Sequence, residues 1–159
     1  MAIFLKYGAI KGETTQLAHK EWIEIESFQF GVGRGISMGV GGASKREASA
    51  PSVSEITLTK TMDIASPLLF KEALGGKAVE VKIELTQTDN NGKHVAFQKY
   101  VLTDTLISGY SISSGGARPS ESLSLNFAKV DSEYLNINDK FEAKTTGHVV
   151  FDIGASKLS

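Results

Sequence analysis

AVEVKIELTQT, residues 78–88, decides the fold class. Val79, Val81, Ile83 and Leu85 alternate with Glu80, Lys82, Glu84 and Thr86. A period of two over this length is a strand with one buried and one wet face. Downstream, Asp89-Asn90-Asn91-Gly92 is a turn in which Gly92 can take positive φ, and the chain returns over 94–103 as a hairpin. Upstream, 54–61 alternates in the same way, and Ile3 to Tyr7 reads as a short opening strand. Further strands are expected over 105–113, 122–130, 134–138 and 147–153. The count is about eight to ten short strands, the spacing of a sandwich or barrel.

Residues 21–30 form a longer strand with a change of parity. Ile23 and Ile25 are apolar first, then Phe28 and Phe30. Such a shift implies a bulge or a change of face near Ser27. If both Phe side chains face the core, Gln29 faces the other way. One helix is expected over about 67–74. Ser66 suits its N-cap and Pro67 its first position, Leu68, Leu69, Phe70, Ala73 and Leu74 supply an apolar stripe, and Gly75-Gly76 stops it. Two turns are not stable alone, so the helix must pack on a sheet.

Residues 31–53, GVGRGISMGVGGASKREASAPSV, carry no clear element. A connection this long exceeds the usual ~4–6 residues and marks a functional or a disordered segment. It is Gly- and Ser-rich and holds Arg34, Lys45 and Arg46. GVGRGI lacks the third glycine of a dinucleotide fingerprint, and GGASKR lacks the Gly-Lys-Ser/Thr of a phosphate loop.

Composition narrows the function. The 159 residues suit a single domain, 1–159, and 41% hydrophobic content suffices for a core. A formal net charge of −1 argues against nucleic-acid binding, which needs surplus cations. Cys is absent, so no disulfide or Cys-ligated metal is available. The N-terminus shows no signal-peptide pattern, and no run reaches the ~18 apolar residues of a membrane helix. His19, His94 and His148 have no metal-ligand spacing and read as surface or loop residues, and no G-x-S-x-G elbow occurs. No catalytic, cofactor or metal constellation emerges. Nearly every strand pairs its apolar face with Ser, Thr, Asn, Gln, Glu or Lys. That pattern fits an ordinary soluble sandwich or a sheet lining a wet channel.

Several short stretches together resemble the haemolysin-coregulated protein (Hcp) family, the tube proteins of bacterial type VI secretion systems. They are Ile10-Lys11-Gly12-Glu13-Thr14, His19, Phe28-Gln29-Phe30, the Gly-rich loop, Ile56 to Lys60, Asp63, Ser66-Pro67-Leu68 and the run from Glu121 to Val130. The resemblance implies a two-sheet β-barrel or sandwich with one flanking helix and an extended loop over 31–53. It implies homohexameric rings stacked into a hollow tube, with effectors in the lumen and with sheath and spike proteins as partners. Residues 21–30 would help line the lumen, with Gln29 and Ser27 as contacts for effectors. Gly31, Arg34, Met38, Gly41, Gly42, Lys45 and Arg46 would reach a neighbouring subunit or ring. It implies synthesis in the bacterial cytoplasm and export by the type VI route, with no catalysis, cofactor, nucleic acid or membrane insertion. The alternatives are a contractile phage-type tail tube, which shares the fold, and a monomeric β-sandwich binding module or small hydrolase.

Overall fold

The computed structural model describes residues 1–39 and 46–159. In chain order, β1 (Ala2–Tyr7) is followed by a 3-10 turn (Leu17–His19), β2 (Ile23–Ile25) and β3 (Ser27–Gln29). Four short strands come next: β4 (Val32–Gly33), β5 (Ile36–Met38), β6 (Arg46–Ala48) and β7 (Ser52–Val53). Then come β8 (Ile56–Thr61), α1 (Ser66–Gly75), β9 (Val79–Thr88), β10 (His94–Ser113) and β11 (Ser120–Asn126). The chain ends with β12 (Lys129–Ile137), β13 (Ala143–Asp152) and β14 (Lys157–Leu158).

Ten of these strands build two antiparallel sheets that share β10. The first runs β2-β1-β9-β10-β12-β13-β14, and the second runs β3-β8-β11-β10. The arrangement is a sandwich rather than a closed barrel. Two corners carry the chain between the layers. At the first, β2 pairs with β1 and, after Glu26, β3 pairs with β8. The parity shift after Ile25 is this change of sheet. At the second corner, β10 is a single strand of 20 residues where two were expected. Asp104 sits at φ 52°, the ladder to β9 slips between Leu102 and Thr105, and the second half pairs with β11. A left-handed residue in a strand is a bulge that bends it, and the bend passes β10 from one layer to the other.

Ile3, Leu5, Ile23, Val81, Ile83 and Leu102 meet Ile56, Leu58, Leu123 and Leu125 between the layers, all buried. The wet face expected on β9 is partly covered. Thr86 is buried, and its hydroxyl donates to the Ala2 carbonyl at 2.9 Å. The helix lies against β10 and buries Leu69 with part of Ala73. Leu68, Phe70 and Leu74 stay exposed, so the expected stripe is only partly used. Ser66 is not the N-cap. Ala65 holds that position, and Ser66, the first helical residue, turns its hydroxyl inward.

Candidate assembly site

Alternation on the second sheet sorts its side chains. Ile56, Leu58, Leu123 and Leu125 point inward, so the intervening residues point outward. Pairing aligns these outward residues across the sheet. One row is Ser27, Thr59, Ser122 and Ser111, and the next is Gln29, Thr57, Ser124 and Gly109. Ser27 and Gln29 are both exposed. The Ser27 and Thr59 hydroxyls lie 2.5 Å apart. These rows contain no charge. Acids stand at the ends of the face, where Glu26 accepts from the Thr61 hydroxyl and Glu55 from that of Ser108. Short hydroxyls and one amide form a hydrated surface with little apolar area to hold a partner.

The stretch 31–53, expected to lack structure, forms a ribbon. β4 pairs with β7 and β5 with β6. The pairings Gln29 with Thr57, Val32 with Val53 and Ile36 with Ala48 are one continuing hairpin. The returning side gains one residue between successive ladders, a bulge at each step. Serines hold the slips: the Gly31 N–H donates to Ser54 Oγ at 2.9 Å, and the Gly35 N–H to Ser49 Oγ at 3.0 Å. Gly31, Arg34, Met38 and Arg46 are all exposed. Ile36, Met38, Ala48 and Arg46 share one face of the outer ladder, and Ser37 and Glu47 share the other. Gly41, Gly42 and Lys45 lie outside the described residues.

A buried ion cluster ties α1 to the second sheet. Lys60 Nζ donates to Asp63 Oδ1 at 2.9 Å, to Glu121 Oε1 at 3.2 Å and to Ser66 Oγ at 3.3 Å. Glu121 also accepts from the Ser66 and Tyr110 hydroxyls. Burial alone would raise the Glu121 pKa, but the two hydroxyl bonds and Lys60 outweigh it and hold the carboxyl below its usual range. Burial and the same carboxylate hold the Tyr110 hydroxyl protonated well above its usual range. Sequence reading passed over this cluster, although a signal exists. Lys60 has the inward parity of Ile56 and Leu58, and Glu121 that of Leu123 and Leu125. A charge in phase with the apolar residues marks a buried ion pair.

His19 is also buried, not a surface or loop residue. It stacks on Phe4, with ring centroids 4.4 Å apart, and its Nε2 lies 2.9 Å from Glu84 Oε2. Its Nδ1 has no partner among the described residues. His94 lies 3.2 Å from the Thr86 hydroxyl, and His148 pairs with Asp131 at 2.6 Å on the far side of the first sheet. Among the described residues, His, Asp and Glu nowhere gather in threes with metal-binding geometry. No helix there is long and apolar enough to cross a membrane.

The family described as "Type VI secretion system effector, Hcp" matches residues 4–134. Among solved structures, one described as a type six secretion system protein superposes with a TM-score of 0.88 at 26% identity, covering 99% of both chains. Hcp1 of Salmonella typhimurium superposes with a TM-score of 0.75 at 26% identity, covering 99% of this chain and 98% of that one. Hcp1 of Flavobacterium johnsoniae, at 7% identity and a TM-score of 0.59, shares the fold alone, over 92% of this chain and 100% of the other. No protein of curated function matches the sequence. The family match takes in the hydroxyl face, the ribbon and the ion cluster together, and the chain therefore belongs to the Hcp family of type VI secretion system proteins.

Proposed function

We propose that six copies of this chain close into a ring, that rings stack into the inner tube of a type VI secretion system, and that the tube carries effectors out of the cell. The hydroxyl face of β3, β8, β11 and β10 carries this reading. It lines the lumen, with Ser27 and Gln29 as points of effector contact. A lumen that conveys other proteins has to be wetted and weakly adhesive, and uncharged hydroxyls meet both needs. Catalysis has no part in this role. Exposed Leu68, Phe70 and Leu74 on α1 give a neighbouring subunit something to bury. A ring of this kind uses head-to-tail interfaces, which also permit open stacking. Sheath and spike proteins are the outer partners.

Native mass spectrometry and negative-stain microscopy of the purified chain test the reading. The expected result is a six-subunit mass and annular particles. A monomer that persists at high concentration overturns it. Gln29→Arg is expected to leave the rings intact, because Gln29 is exposed. It changes the amount of effector that co-purifies. Unaltered co-purification removes Gln29 from the lumen.

A further inference from the structure

Asn91-Gly92 is the only Asn-Gly pair in the chain. It stands at the tip of the β9–β10 hairpin, where residues 90–93 are all exposed. Gly92 sits at φ 78° and, apart from its chain neighbours, no atom lies within 4 Å of where a Cβ would stand. The Gly92 nitrogen is therefore approachable, and its residue reaches conformations closed to others. The remaining Asn residues differ. Asn90 precedes Asn91, Asn126 precedes Phe127, Asn136 precedes Ile137 and Asn138 precedes Asp139, so a side chain crowds the next nitrogen in each case. Asn138 is also tied down. Its Oδ1 accepts from the Lys140 N–H at 2.9 Å and the Glu142 N–H at 3.0 Å.

One side chain holds the tip shut. Asp89 Oδ1 accepts from the Asn91 N–H and the Lys93 N–H, each at 2.8 Å. The Asp89 carbonyl accepts from the Gly92 N–H at 3.1 Å. While that bond stands, the Gly92 nitrogen keeps its proton and is a poor nucleophile. Hairpin tips open at low cost, and the Asp89 carboxylate sets how often this one opens.

We infer that Asn91 is a site of spontaneous deamidation and that Asp89 is the gate on it. In the open turn the Gly92 nitrogen loses its proton and attacks Asn91 Cγ. The N–Cγ bond forms, the Cγ–Nδ2 bond breaks, and Nδ2 takes up a proton and leaves as ammonia. The product is a cyclic succinimide. Water then opens the ring at Cγ, giving Asp, or at the main-chain carbonyl, giving isoaspartate. No oxidant or reductant is consumed. Either product adds one negative charge to a formal net charge of −1. It does so on the wall of a hollow of about 150 Å³ that Asn91 shares with Lys93, His94 and His19. Isoaspartate also adds a backbone atom inside the loop that the Asp89 N–H and the Lys93 carbonyl close at 2.9 Å. None of this depends on ring formation.

Incubating the purified chain in mildly alkaline buffer, then mapping its peptides by mass spectrometry, tests the site. The peptide holding Asn91 is expected to gain the carboxamide-to-carboxylate mass difference before any other Asn peptide. It should separate into two products of equal mass, Asp and isoaspartate. Asp89→Ala is expected to raise the rate severalfold and to speed hydrogen exchange at the Gly92 amide, while core amides such as Ile83 exchange as in the parent. Asn91→Gln leaves the peptide unmodified over the same time, because the larger ring closes far more slowly. Earlier reaction at another Asn, or an Asn91 peptide that stays intact after the denatured chain has reacted, overturns the site. An Asp89→Ala rate equal to the parent's, or one that merely follows faster exchange of the core, overturns the gate.

Discussion

Glu121→Ala is expected to lower the stability of the folded chain by about 3–5 kcal/mol, the cost of removing one partner from a buried ion pair. Glu121 is 1% exposed and Lys60 0%. Without the carboxylate, Lys60 keeps Asp63, but three donors lose their acceptor: the Lys60 ammonium in part, and the Ser66 and Tyr110 hydroxyls. Total stabilities of about 5–15 kcal/mol make such a loss large. Denaturant titration reads it as a lower midpoint. The double variant Lys60→Met with Glu121→Leu removes both charges and is expected to recover at least ~1 kcal/mol of the single variant's loss. A loss below about 1 kcal/mol for Glu121→Ala, the size of a surface pair, would show that the cluster is not a closed, dry site.

Acid gives a second readout of the same cluster. Glu121 and Glu84 both titrate below the ordinary 4.5 in the folded chain. For Glu84, burial works in the opposite direction and is outweighed by the His19 bond and by Lys99 and Lys82. A depressed carboxyl adds stability that is fully present above its unfolded value and is lost as pH falls through the folded one. The unfolding free energy should therefore begin to drop as pH passes below 4.5. In Glu121→Ala that drop is shallower, because one of the two carboxyls is gone.

Much of the fold is legible in the sequence because antiparallel strands with one wet face announce themselves at period two. Val79 to Leu85 and Ile56 to Thr61 are of this kind, and the shift from Ile25 to Phe28 locates a sheet crossing to within one residue. Three features were hidden for different physical reasons. The ribbon is held by backbone ladders and by Ser49 and Ser54, so its side chains needed no alternation. The continuity of β10 depends on Asp104 taking a left-handed φ, which its neighbours do not encode. The ion cluster draws Lys60, Asp63, Ser66 and Glu121 from two segments some 55 residues apart. Four of the positions that carried the family resemblance are thus members of one buried network that seats the helix on the sheet. Ser66 is the instructive case. Beside Pro67 it looks like a cap, but it is the first helical residue, and its hydroxyl donates to the buried Glu121 carboxylate while accepting from the Asp63 N–H at 2.9 Å.

Removing the outer ribbon should separate assembly from folding. Residues 36–48 can be excised because the chain is already closed at their base. The Ser49 N–H donates to the Gly35 carbonyl at 2.9 Å, and the Gly35 N–H to Ser49 Oγ at 3.0 Å. An Asn-Gly pair joining Gly35 to Ser49 makes a two-residue hairpin turn that suits strand twist. Every described residue within the excised stretch is exposed, so no core contact is lost. Shortening the loop between Gly35 and Ser49 from 13 residues to two lowers the loop-closure cost by about 1–2 kcal/mol, which favours the folded chain. The expected result is a denaturant midpoint no lower than the parent's, intact rings and loss of tubes by electron microscopy. The loss should be near complete, because Arg46 and the apolar pair Ile36 and Met38 leave together and each contact recurs at every subunit of every ring junction, so small deficits multiply along the stack. Tubes of undiminished length would assign stacking to the ring faces themselves, and a variant that fails to form rings would place the ribbon inside the ring interface.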